Sequence, residues 1–112
     1  MSGGIRFEKP WRALEADALA ALPATMGVYE IGDLEGRIVF IGFAGGRSLF
    51  GLRSELQGEL AQRGEGKALF RSEENMQYMS RYDELLMVHV ADHGSVPDDN
   101  DGQRRIGRLS PG

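Results

Sequence analysis

The chain has 112 residues and a net charge of −4, which is the size of one ordinary domain. It contains no cysteine, which excludes disulfides, thiolate nucleophiles and cysteine-ligated metal sites. No apolar run approaches the roughly 20 residues of a membrane span, and the N-terminus lacks a signal-peptide core, so we expect a soluble cytoplasmic protein without membrane contacts.

The first half of the chain predicts one helix and one hairpin. Apolar residues at helical spacing predict a short helix over residues 10–22, ended by Pro23. Strands over 26–32 and 37–44 flank the turn Asp33–Gly36 and are predicted to pair antiparallel. A loop of two or four residues would place Tyr29 opposite Phe40.

The second half predicts two longer helices around a third strand. Ser48 is a suitable N-cap for a helix that runs to about Arg63. Residues 67–76 are expected to form the third strand. Ser80 is predicted to cap a helix over 81–93 that stops at Gly94. We therefore expect a single α+β domain with a three-stranded antiparallel sheet, its core over about 24–100, and a flexible tail over 101–112.

Charge is distributed unevenly along the chain. Residues 37–82 carry seven basic and five acidic groups, whereas residues 83–103 carry six acidic groups and no basic one. Most of the cations are arginines, which suit bidentate phosphate contacts. Two interpretations stay open: an ordinary solvated surface, or a basic middle segment that faces phosphate.

Two tripeptides stand out on the paired strands. Gly27-Val28-Tyr29 and Phe40-Ile41-Gly42 are separated by ten residues, and Arg53, Glu84 and Asn100 follow in that order. This order resembles the GIY-YIG nuclease family over about residues 24–100. The resemblance implies the α+β fold of that family and metal-assisted hydrolysis of DNA phosphodiesters.

The resemblance also implies a metal ion and a phosphate clamp. Glu84 would hold one divalent ion, Mg²⁺ or Mn²⁺, because such ions prefer hard oxygen ligands. Arg53 would hold the phosphate oxygens and offset the charge that develops in the transition state. Arg47 is an alternative to Arg53, since the loop before the helix is long.

Four further positions receive roles from the same resemblance. Tyr29 would help to activate water as a general base, and Asn100 would orient the site by hydrogen bonding. Gly27 and Gly42 would let backbone or substrate approach closely. We expect Tyr29, Arg53 and Glu84 to converge in one shallow cavity beside the first two strands.

The chain departs from the family pattern at the second motif. Phe40 stands where the family has tyrosine, and Phe43 stands where many members have a polar residue. Tyr29 would act alone, or Tyr78 or Tyr82 would substitute for the missing hydroxyl.

The alternative to a nuclease is a catalytically silent module of the same fold that binds nucleic acid or a protein. A small-molecule hydrolase is a third hypothesis, and a domain this small would need a second copy or a partner protein to hold DNA.

Overall fold

A four-stranded antiparallel sheet forms the centre of residues 6–100, which are the residues that the computed structural model describes. The elements in chain order are β1 (Arg12–Ala13), α1 (Ala16–Ala20), β2 (Gly27–Gly32), β3 (Ile38–Ala44), α2 (Gly51–Arg63), β4 (Leu69–Glu74), α3 (Tyr78–His93) and a 3-10 turn (Asp98–Asn100). The strand order is β1-β4-β2-β3. The predicted α+β class is confirmed, but the sheet has four strands rather than three. The predicted tail over 101–112 lies outside the described residues.

Helices cover both faces of the sheet. One apolar cluster joins α1 and α2 to the face that carries Tyr29 and Ile31, and a second joins α3 to the face that carries Val28 and Ile41. Strand β2 lies between two neighbours and is buried along its whole length. A strand covered on both faces reads as an almost continuous apolar run, which is why this segment is recognisable in the sequence.

The helix predicted over residues 10–22 is wrong at its N-terminal end. The helix begins at Ala16, and Arg12–Ala13 pairs instead with β4 as a short edge strand. The Trp11 ring packs over Gly32, where an added Cβ would lie 2.7 Å from the ring. Strand pairing and this contact outweigh the weak helical spacing because local propensity is a small term beside tertiary packing.

The β2–β3 hairpin is confirmed, but its predicted register is wrong. Tyr29 pairs with Gly42 rather than with Phe40, and the loop between the paired residues spans five residues. A register shift next to Gly32 compensates for that odd length, so the inward and outward alternation is preserved. The Tyr29 and Phe40 rings therefore still lie on one face, with centroids 6.1 Å apart.

The predicted start of α2 at Ser48 is wrong. The Ser48 hydroxyl donates to Glu55 Oε2 over 2.7 Å, and the helix begins at Gly51 without a side-chain cap. Gly51 has φ +57°, and its Cβ position would lie 2.3 Å from the Thr25 carbonyl oxygen. The close approach of this turn to the chain before β2 therefore fixes the start of the helix.

Helix α3 ends where the sequence predicts but begins three residues earlier. It starts at Tyr78 rather than at residue 81, and in the turn before it Asn75 Oδ1 accepts the Gln77 N–H over 2.8 Å. It ends at Gly94, whose φ of +85° favours glycine.

Among residues 6–100, no helix has the length and apolar composition needed to cross a membrane.

Candidate functional site

A cleft of about 580 Å³ opens along the edge of β3, between α2 and α3. Its polar lining comes from the loop before α2 and from that helix: Arg47, Ser48 and Glu55. Its apolar lining is mainly aromatic and comes from Tyr29, Phe40, Phe43, Tyr78 and Tyr82, together with Ile41 and Met79. We call this space the edge cleft.

The edge cleft is lined from both faces of the sheet. Tyr29 and Phe40 belong to the α2 face, whereas Phe43, Tyr78 and Tyr82 belong to the α3 face. The Phe43 and Tyr78 rings are stacked with centroids 5.7 Å apart, and Tyr82 meets Phe43 edge-on at 4.9 Å. These are favourable aromatic arrangements, so the α3 side presents a continuous aromatic wall.

The Tyr29 hydroxyl is held in a buried polar network. It donates to Glu59 Oε2 over 3.0 Å, and Arg63 Nε donates to Glu59 Oε1 over 3.0 Å. Arg63 also pairs with Asp99 at 3.0 Å. Glu59 is only 2% exposed, and so is Tyr29. The hydroxyl predicted to activate water therefore donates to an internal carboxylate.

Gly27 and Gly42 make room for the protein's own atoms. A Cβ on Gly42 would lie 2.4 Å from Tyr29 Cζ, and a Cβ on Gly27 would lie 2.1 Å from the Glu73 carbonyl oxygen. Gly42 borders the edge cleft and Gly27 does not line it. The close approach predicted at both glycines is thus made by the Tyr29 side chain at Gly42 and by the backbone of β4 at Gly27.

Arg53 and Arg47 lie in different places. Arg53 donates from Nε and Nη2 to the Leu22 carbonyl oxygen, over 2.9 and 2.8 Å, and does not line the edge cleft. Arg47 lines the cleft from the exposed loop before α2. Of the two arginines considered for phosphate, the structure places only Arg47 beside Tyr29.

Glu84 is paired with a buried arginine. Arg81 Nη1 donates to Glu84 Oε1 over 2.6 Å, and Arg81 Nε donates to Glu73 over 3.0 Å. Burial lowers the pKa of Arg81, but the hydrogen bonds to Glu73 and Glu84 outweigh it and raise the pKa above its usual value. Glu84 does not line the edge cleft, so the structure does not bring Tyr29, Arg53 and Glu84 together.

The residues present do not fit the predicted Mg²⁺ or Mn²⁺ site. The carboxylate that lines the edge cleft is Glu55, which already accepts the Ser48 hydroxyl. Residues 6–100 contain no group of three His, Cys, Asp or Glu side chains placed to share a metal ion. Glu84 is engaged by Arg81 outside the cleft, so the metal role implied by the resemblance has no support from this geometry.

Asn100 caps the edge of β3. Its Oδ1 accepts the Ile41 N–H over 2.7 Å, and its Nδ2 donates to the Ile41 carbonyl oxygen over 2.9 Å. The side chain is buried, although it directly follows two aspartates, of which Asp98 is exposed and Asp99 is half-buried. The hydrogen bonding predicted for Asn100 is therefore directed at the backbone of the second motif.

The arginines of the predicted basic segment are mostly bound within the protein. Arg37 pairs with Asp33 and Arg71 with Glu30, in addition to the contacts of Arg53, Arg63 and Arg81 described above. Burial raises the pKa of Glu30 above its usual value, although the Arg71 guanidinium acts in the opposite direction. Few cations of this segment remain to face phosphate, which favours the interpretation as ordinary surface and internal pairs.

The buried network around Glu59 was not predicted from the sequence. Glu59 lies three residues after Leu56 and seven after Leu52, so it falls on the buried stripe of α2. Arg63 follows four residues later, at the spacing of a helical ion pair. The sequence did contain a signal for this network: a carboxylate on the apolar face of a predicted helix, followed by an arginine one turn later.

Within residues 6–100, the fold and the edge cleft define an α+β domain with an aromatic groove beside a sheet edge that no other strand covers. A family model described as a domain of unknown function (DUF7508) matches residues 5–92. The chain belongs to that family, since the match spans most of its length. No curated protein matches the chain.

Proposed function

We propose that this domain is a catalytically silent, GIY-YIG-like module that binds a partner protein in the edge cleft. The resemblance to that family is supported by the two motif strands, which are adjacent and antiparallel. The observation that carries the function is the cleft itself, which is aromatic and lies apart from Arg53 and Glu84. A groove of this kind suits an inserted apolar side chain.

The arrangement favours binding over hydrolysis. A metal-assisted nuclease needs a carboxylate ligand and a phosphate clamp around one reacting phosphate. Here Glu84 accepts from Arg81, Arg53 donates to a backbone carbonyl, and the Tyr29 hydroxyl donates to Glu59. Each of these groups contributes to the fold of the domain.

The charges favour a protein over a nucleic acid as the partner. Binding to DNA depends on several basic groups that contact phosphates and release counterions. The polar lining of the edge cleft offers one cation, Arg47, and one carboxylate, Glu55. Protein interfaces, in contrast, are enriched in aromatic residues and methionine at their centre.

Exposed apolar side chains flank the edge cleft. Met79 lines it and is 47% exposed, and Leu49 and Phe50, which directly follow the lining residue Ser48, are 82% and 49% exposed. Exposed apolar side chains beside a cleft are typical of interaction sites. Since the chain is acidic overall, we expect a partner segment that carries an aromatic or aliphatic anchor beside a basic residue.

Selection from a random peptide library tests this proposal. We expect the wild-type protein to enrich peptides with an apolar anchor, and Met79→Lys to weaken their binding by at least about tenfold. Met87→Lys is the matched control, because Met87 is 70% exposed on the same helix but does not line the cleft. Equal loss in both variants, or no enriched peptide, would contradict the proposal.

A nuclease assay tests the competing hypothesis. We expect no cleavage of single-stranded, duplex or branched DNA with Mg²⁺ or Mn²⁺, and any DNA binding to be weak. Metal-dependent cleavage that EDTA abolishes and that Glu84→Ala removes would instead favour the enzyme. A steep fall of DNA affinity with salt would likewise point to phosphate contacts that the structure does not predict.

A further inference from the structure

We propose that the partner segment binds as an extended strand that pairs with the edge of β3 at Phe43. This inference rests on the proposed function and specifies how the edge cleft is occupied. Strand β3 ends the order β1-β4-β2-β3, so among residues 6–100 no strand lies on its outer side. Those main-chain groups on that side that no residue of 6–100 binds are available to an added strand.

The contacts of Asn100 establish which groups point outward. Its carboxamide bonds both the N–H and the carbonyl oxygen of Ile41, so these two groups face away from β2. Main-chain groups alternate along a strand, and therefore those of Phe43, two residues later, face outward as well. Within residues 6–100, no backbone–backbone hydrogen bond outside the sheet involves Phe43.

Asn100 also shows that this edge accepts strand-like pairing. A primary carboxamide presents an N–H donor and a carbonyl acceptor on the same edge, as one residue of a strand presents its own N–H and carbonyl oxygen. Its two bonds to Ile41 reproduce the reciprocal pair that a neighbouring strand makes in an antiparallel ladder. Asn100 closes the edge at Ile41, and among the described residues none closes the next outward position, Phe43.

The two-sided lining of the edge cleft matches the alternation of a strand. Residues opposite one another on paired strands share a face. The partner residue opposite Phe43 would therefore meet the aromatic wall of Tyr78 and Tyr82, and its neighbours would point to the other face, beside Gly42 and Glu55. An apolar residue flanked by a basic one fits this alternation.

The open part of the edge is short. Beyond Ala44 the chain turns, and Ser48 N–H donates to the Gly45 carbonyl oxygen over 3.1 Å. The partner strand is thus limited to about three paired residues, since the edge is closed by Asn100 on one side and by this turn on the other. Its affinity depends on the anchor side chain as well as on main-chain hydrogen bonds.

Backbone N-methylation of a selected peptide tests strand pairing. The probe is a library peptide whose binding is lost with Met79→Lys and kept with Met87→Lys. We expect N-methylation at one position to weaken binding by at least about tenfold, while methylation of its two neighbours leaves it within about threefold. In the complex, the Phe43 amide should exchange with solvent at least about tenfold more slowly, whereas the Ile41 amide should change little.

Two results would overturn strand pairing in distinguishable ways. If no N-methyl position matters and the Phe43 amide exchanges as before, the peptide occupies the cleft in another conformation, and only the present inference fails. If no library peptide depends on Met79, the proposed function fails and strand pairing fails with it.

Discussion

Replacing Glu59 with alanine is expected to lower the free energy of unfolding by about 3–5 kcal/mol. The substitution removes the acceptor of both the Tyr29 hydroxyl and Arg63 Nε, while the Arg63 side chain is only 17% exposed. It leaves a largely buried cation that still pairs with Asp99, and it leaves a cavity in the core. Chemical denaturation monitored by circular dichroism measures the loss.

Glu55→Ala is the matched control for that experiment. Glu55 lies one turn earlier on α2, is only half-buried, and accepts a single hydrogen bond from Ser48. We expect Glu55→Ala to lower the free energy of unfolding by less than about 1 kcal/mol. The double variant Glu59→Ala with Arg63→Ala should lose less stability than the sum of the two single variants, because Glu59 and Arg63 interact directly. Additive losses would show that the Glu59–Arg63 pair does not stabilise the fold.

The strands were predictable because their signal is local. Residues 27–32 and 38–44 carry apolar runs on either side of a polar turn, and such runs indicate buried strands whatever surrounds them. The register was not predictable in the same way. It depends on the length of the loop after Gly32 and on the register shift beside it, and neither leaves a clear trace in composition.

The site residues were predicted from their order along the chain, which does not determine which way a helix faces. Successive helical residues are rotated by about 100°, so positions two apart point to nearly opposite sides. On α2, Glu55 lines the edge cleft while Arg53 reaches the Leu22 carbonyl. On α3, Tyr82 lines the cleft while Glu84 accepts from Arg81. A two-residue difference therefore separates a cleft residue from a structural one.

Replacing Gly42 with alanine is expected to lower the free energy of unfolding by about 3 kcal/mol. The new Cβ would lie 2.4 Å from Tyr29 Cζ and 2.5 Å from the hydroxyl oxygen. The ring cannot move aside without cost, because it is buried and its hydroxyl is held by Glu59. Thermal and urea unfolding would both measure the effect.

Gly46→Ala separates this steric effect from the general effect of replacing a glycine. Apart from its chain neighbours, no described residue has an atom within 4 Å of the Cβ position at Gly46, so its replacement should change stability by less than about 0.5 kcal/mol. Replacing Tyr29 with the smaller leucine should relieve the clash. Gly42→Ala should therefore lower the free energy of unfolding less in a Tyr29→Leu background than in the wild type. An equal cost in both backgrounds would mean that Gly42 is required for its backbone and not for the room it gives Tyr29. In that case the glycine of Phe40-Ile41-Gly42 would not be explained by its packing against Tyr29 of the first motif.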